Sequence, residues 1–76
     1  MSAKIKSLGA NKTEVHLSSG AVVFVSYSTP VAAQLAGGGF IRTAEKYSVT
    51  TSKHITQWLD GRKAAVVPQA TLDAML

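Results

Sequence analysis

A chain of 76 residues allows one domain, and without a cysteine that domain has neither disulfides nor thiolate metal sites to steady it. Its hydrophobic fraction of 46% includes eleven alanines, so the core is thin; small scaffolds commonly remedy this by association, and a homo-oligomer is expected. Eight Lys and Arg against four acids give a formal charge of +4, which favours a phosphate-bearing or acidic partner, although a charged fraction of 16% is low for a dedicated nucleic-acid binder.

No run approaches the roughly 18 apolar residues of a membrane span. The opening MSAKIKSLGANK carries lysines but no apolar core, so no signal peptide is expected. The lack of cysteine fits a reducing compartment, and the cytoplasm is the expected location.

In chain order, Ile5 and Leu8 are the apolar points of a first short strand, and GAN at 9–11 is a turn signal. Val15 and Leu17 alternate with Glu14 and His16 in a half-buried strand. SSG at 18–20 reads as a hairpin connection, and VVFV at 22–25, apolar on both faces, as a central strand. Pro30 cannot donate to a ladder, so the chain bends or lies at an edge there. VAAQLA at 31–36 has the alanines of a helical turn, but Val31 and its β context favour a strand. GGG at 37–39 is a loop tip and lacks the rest of any phosphate-loop pattern.

FIRTA at 40–44 and YSVT at 47–50 read as two short strands around a Glu45–Lys46 turn. TSKHITQWLDG is the clearest helix, about 51–60, with Thr50 or Thr51 as its cap and Gly61 suited to end it. Ile55, Trp58 and Leu59 fall on one apolar face. AAVV at 64–67 is a last strand, and PQATLDAML a C-terminal helical turn started by Pro68 and packed through Leu72, Met75 and Leu76. The expected fold is a single α+β domain over 1–76: an antiparallel sheet of five or six strands, one packed helix and a short C-terminal turn.

Chemistry concentrates in RTAEKYSVTTSKHITQW, residues 42–58. A helix start presents unpaired amides and the positive end of its dipole, a ready position for an anion. Thr50, Thr51 and Ser52 add hydroxyls there, Lys53 and His54 add donors, and Arg42 adds a planar fork suited to phosphate. Tyr27, Tyr47 or Trp58 can offer a stacking face to a base. Each residue also has a plainer role: threonines cap helices, Trp58 shares the apolar face of Ile55 and Leu59, and Arg42 can cover apolar surface with its stem. Two histidines and four acids show no metal spacing, and no serine is marked as a nucleophile, so neither a metal, a cofactor nor catalysis is expected.

FVSYSTPVAA followed by GFIRTAEKYSVTTSKHITQWL resembles a family of small proteins encoded mainly by bacteriophages and related mobile elements. The family pattern joins an aromatic-Ser-Tyr-x-Thr-Pro-Val-Ala stretch to an Arg-Thr pair and an aromatic-Ser-x-Thr-Thr-x-x-His segment. Here it falls on Ser26, Tyr27, Thr29, Pro30, Val31 and Ala32, then on Arg42, Thr43, Tyr47, Ser48, Thr50, Thr51 and His54, within roughly residues 14–60. Val25 displaces the aromatic, Phe24, by one position. The resemblance implies a phage origin, and hence the host-cell cytoplasm, but no activity. Its polar positions suit either a site or a buried hydrogen-bond network. Two functions follow: a non-catalytic accessory protein binding a nucleic acid or nucleotide, or an anti-defence protein that binds a host protein or sequesters a nucleotide immune signal.

Overall fold

The computed structural model describes residues 3–76. Five strands form a meander: β1 (Ala3–Gly9), β2 (Lys12–Leu17), β3 (Val22–Ser26), β4 (Thr29–Gln34) and β5 (Phe40–Thr43). Helix α1 (Val49–Leu59) then carries the chain back to β6 (Ala65–Val67), and α2 (Gln69–Asp73) closes it. The sheet order is β1-β2-β3-β4-β5-β6. The expected antiparallel sheet holds through β5, but β6 pairs with β5 in parallel, so the sheet is mixed. A helix between two neighbouring strands returns the chain to its starting end, which makes the next strand parallel.

Strand alternation sends two rows of side chains to opposite faces. Glu14, Phe24, Ala32 and Arg42 lie opposite one another in register, as do Val15, Val23, Ala33 and Ile41. The first row meets α1: Phe24, Val31 and Ala32 pack with Ile55 and Leu59. The second meets α2, where Val23, Ala33 and Ile41 enclose Leu72. A fully buried side chain such as Phe24 contributes about 1.5–3 kcal/mol. Leu72 and Met75 pack as their spacing predicts, but Leu76 is exposed.

Pro30 lies inside β4 without harm. Phe24 opposes Ala32 while Val25 opposes Pro30, so Val31 is the extra residue of a bulge. The bulge lets Val31 and Ala32 both join the α1 core. Pairing of β4 with β5 begins only at Ala32, so the missing N–H of Pro30 falls outside that ladder.

The second expected hairpin does not form. Residues 44–48 leave the sheet, and the stretch read as strand 47–50 supplies the helix start instead. Ser48, not Thr50 or Thr51, is the N-cap: its Oγ accepts from the Thr51 N–H at 3.1 Å and donates to Thr51 Oγ1 at 3.2 Å. Thr51, Ile55 and Leu59, four residues apart, are the buried positions of α1. Its other end is capped by Asp60, left-handed at φ 50°, followed by Gly61 at φ 81°.

Candidate functional site

The alternation of strand directions brings several segments to one end of the sheet. β3 ends there at Ser26, β4 begins at Thr29, β5 ends at Thr43, and α1 and α2 both start there. Segment 44–48 crosses this end, anchored by the Ala44 N–H donating to Val67 O at 2.8 Å and the Glu45 N–H donating to Thr43 Oγ1 at 3.0 Å.

Beside the first turn of α1 is a cleft of about 600 Å³. Arg42, Lys46, Tyr47, Thr51 and Ser52 line it, with Glu45 as its carboxylate and Ile55, Ala64 and Val66 as its apolar wall. Among the described residues the ion pair is His16–Glu14, and neither Arg42 nor Lys46 has a carboxylate partner within 4.0 Å. Their charge is open to a ligand. The helix start itself offers less than its sequence promises. Ser48 already takes the Thr51 N–H through its side chain and the Ser52 N–H through its carbonyl. The amides of Val49 and Thr50 are left without such a partner among the described residues.

A smaller cleft of about 260 Å³ adjoins the first, lined by Ser26, Tyr27, Thr29, Val31, Tyr47, Ser48 and Thr51. Tyr47 and Thr51 belong to both walls. Tyr47 is half exposed, yet its phenol donates to Gln69 Oε1 at 2.8 Å. Gln69 in turn donates to Pro30 O at 2.7 Å and Asp73 Oδ1 at 2.9 Å, so α2 and β4 hold the tyrosine in place. Partial desolvation, then the Glu45 and Asp73 carboxylates, push the Tyr47 phenol above its usual range.

The remaining sequence candidates are dispersed. Lys53 lies on the outer helix face with Val49 and Thr56, beyond Ser52. Thr50 is exposed and lines neither cleft. His54 turns to the sheet: its Nδ1 and Ser26 Oγ share a hydrogen bond of 2.9 Å, and its ring lies 6.0 Å from that of Tyr27. Ser26 is buried, so His54 supplies a partner that a buried hydroxyl needs. Serine and histidine at this distance have nucleophile–base spacing, but no carboxylate orients the other ring nitrogen among the described residues. Those residues also contain no group of three His, Asp or Glu able to hold a metal ion, and no helix long and apolar enough to cross a membrane.

Lys46, a cation of the charged stretch 42–58 expected in a turn, joins the cleft because segment 44–48 is not a hairpin tip. One contributor, Gln69, was not among the sequence candidates. Gln69 fixes Tyr47 across 22 positions, a contact that no local pattern announces.

Trp58, the third stacking candidate, is two turns further along α1 and is occupied. Its ring stacks on Phe24 at 5.2 Å and meets Phe40 edge-on at 5.9 Å. Its Nε1 donates to Glu14 Oε2 at 2.7 Å, and His16 Nε2 donates to Glu14 Oε1 at 2.9 Å. Burial alone pushes the Glu14 carboxyl up; the Trp58 and His16 hydrogen bonds, with the charges of His16 and Lys6, outweigh it and hold the carboxyl below its usual range. Arg62 sits 5.4 Å over the Phe40 ring and donates to Leu59 O at 3.3 Å. A cleft of about 370 Å³ opens beside Trp58, with Lys12, Arg62 and Asp60 among its lining residues. Its aromatic floor is already used for packing.

Residues 3–74 match a family of unknown function, DUF8033, so the match takes in β6 and α2 as well as the polar pattern of 14–60. No curated protein and no solved structure matches the chain.

Proposed function

Since the chain belongs to DUF8033, a family of unknown function, its own residues must carry the functional reading, and we propose that it is a non-catalytic binder of a phosphate-bearing ligand, a nucleotide or a nucleic acid. The observation behind this reading is the cleft of about 600 Å³ in which Arg42 and Lys46 stand without carboxylate partners among the described residues, beside the hydroxyls of Thr51 and Ser52. A guanidinium fork, an ammonium and short hydroxyls are the donors that phosphate oxygens need. Glu45 on the same wall repels a bare phosphate chain but accepts from a sugar hydroxyl or a base amino group, which favours a nucleotide-like ligand. The phage-type accessory role rests on the resemblance of the polar pattern alone.

The test is a thermal-shift titration of the wild type and Arg42→Ala against mononucleotides and short nucleic acids, at low and moderate salt. A ligand of the folded state raises the melting temperature with its saturation. The expected result is a saturable shift in the wild type that Arg42→Ala largely removes. A shift that appears with every polyanion and fades with salt indicates backbone contacts. No shift with any of these ligands sets the reading aside.

A further inference from the structure

We propose that the smaller cleft is a nucleobase subsite, walled by Tyr27 and Tyr47, so that the ligand carries an unstacked base beside its phosphate. This rests on the phosphate reading of the neighbouring cleft and goes beyond it by naming what the second cleft takes.

Both tyrosines are exposed, Tyr27 at 52% and Tyr47 at 49%, and both line the cleft of about 260 Å³. Exposed aromatic rings are ordinarily loose. These two are held. Tyr47 is tied through its phenol to Gln69, which is itself bonded to β4. Tyr27 rests against His54, and His54 is fixed by Ser26. The Tyr27 N–H donates to Asn11 O at 2.7 Å, so its backbone is fixed as well. A ring ordered before binding loses little entropy when a base stacks on it.

Tyr27 also occupies a position that a tyrosine does not favour. It starts the two-residue turn between β3 and β4 at φ 58°, where glycine or asparagine is the usual choice. A residue kept there against its backbone preference directs attention to its side chain. Val31 adds an apolar wall to the same cleft, and Thr29 adds a hydroxyl that can donate to or accept from a base edge; the Ser48 hydroxyl is already committed to the helix cap. Tyr47 and Thr51 are shared with the cleft of Arg42 and Lys46, so base and phosphate sites adjoin. Trp58 is excluded from this role because Phe24, Phe40 and Glu14 already occupy it.

The unstacked base can belong to a free nucleotide or to a single strand. Calorimetric titration of the wild type would use adenosine 5′-monophosphate, ribose 5-phosphate, a single-stranded oligonucleotide and the corresponding duplex. We expect the mononucleotide or the single strand to bind about tenfold or more tighter than ribose 5-phosphate and the duplex respectively, the size of one stacking contact. A preference for the strand over the mononucleotide identifies single-stranded nucleic acid as the source; the reverse identifies a free nucleotide. Tyr27→Gly suits the left-handed backbone, so it should keep the fold while erasing the base preference and sparing ribose 5-phosphate binding. Tyr27→Phe should retain the preference. Equal, Arg42-dependent binding with and without a base overturns the base subsite and leaves the phosphate reading intact. Binding of none of the four probes overturns both.

Discussion

The two ends of α1 carry similar inventories and treat them differently. Near the start are Arg42, Lys46, Glu45 and two tyrosines; near the end are Arg62, Lys12, Glu14, Trp58 and Phe40. At the far end most groups satisfy one another: Glu14 takes both the indole and His16, and Arg62 covers Phe40, while Lys12, like the near-end cations, has no carboxylate partner among the described residues. At the near end the cations have no carboxylate partner among the described residues, and the tyrosines are held while about half exposed. Residue type therefore does not separate a site from a scaffold here. What separates them is whether the chain has already used each group's bonding capacity.

The sharpest way to break this contrast is at Trp58. Trp58→Ala removes a ring stacked on Phe24 and leaves Glu14 without its indole donor, so it should cost about 3 kcal/mol in urea denaturation, the low end for such truncations. Nucleotide affinity, measured at a temperature where the variant is folded, should not change. A Trp58→Ala protein of unchanged stability that binds nucleotides weakly would reverse the assignment of the two ends.

Arg42→Ala is the counterpart at the near end. Losing a charge-assisted contact to phosphate should weaken binding by about 1.5–3 kcal/mol, roughly tenfold to a hundredfold. Stability should move by no more than about 0.5 kcal/mol, since no ion-pair partner among the described residues is abandoned. Calorimetry and urea denaturation on the same preparation separate the two effects. Loss of stability without loss of binding would make Arg42 part of the scaffold, as Glu14 is.

His54→Ala tests a residue that lies between the two kinds. It should cost about 1–2 kcal/mol, because Ser26 is left as a buried unpaired hydroxyl, with little change in phosphate affinity. Loss of phosphate binding at unchanged stability would return His54 to the site.

Much of the fold is legible locally. Alternation marks β2, and the β-branched run marks β3 as central. Ile55 and Leu59 give the core face of α1, and Pro68 starts α2. The failures arise where competing local patterns need a tertiary arbiter. Tyr47 to Thr50 alternate like a strand, yet the same Ser48 and Thr51 make a helix cap, and burial of Thr51 decides for the cap. Nothing in Ala65–Val67 encodes a parallel partner; that follows from where the helix delivers the chain. The site divides similarly. Arg42, Tyr47, Thr51 and Ser52 converge because they are close in sequence around one turn. The separation of His54 and Lys53 depends on which helix face each occupies, and Gln69 arrives from a different element. The cap gives a direct check by thermal or urea denaturation: Ser48→Ala should cost about 1 kcal/mol, and Thr50→Ala a few tenths at most.

The smallest expected effect concerns Glu14, and its sign follows from its partners. Its carboxyl is held below the ordinary 4.5, so the folded state favours the charged form more than the unfolded state does. That preference adds stability above the unfolded value and is lost as the pH falls through the folded one. Urea midpoints measured between about pH 7 and about pH 3 should therefore fall more steeply for the wild type than for Glu14→Gln, the two converging at the acid limit. Glutamine still offers an oxygen to the Trp58 indole, so the difference isolates the charge and its contact with His16. Parallel profiles would mean that His16 and Trp58 do not favour the ionised form, so that their hydrogen bonds hold Glu14 in place without stabilising its charge.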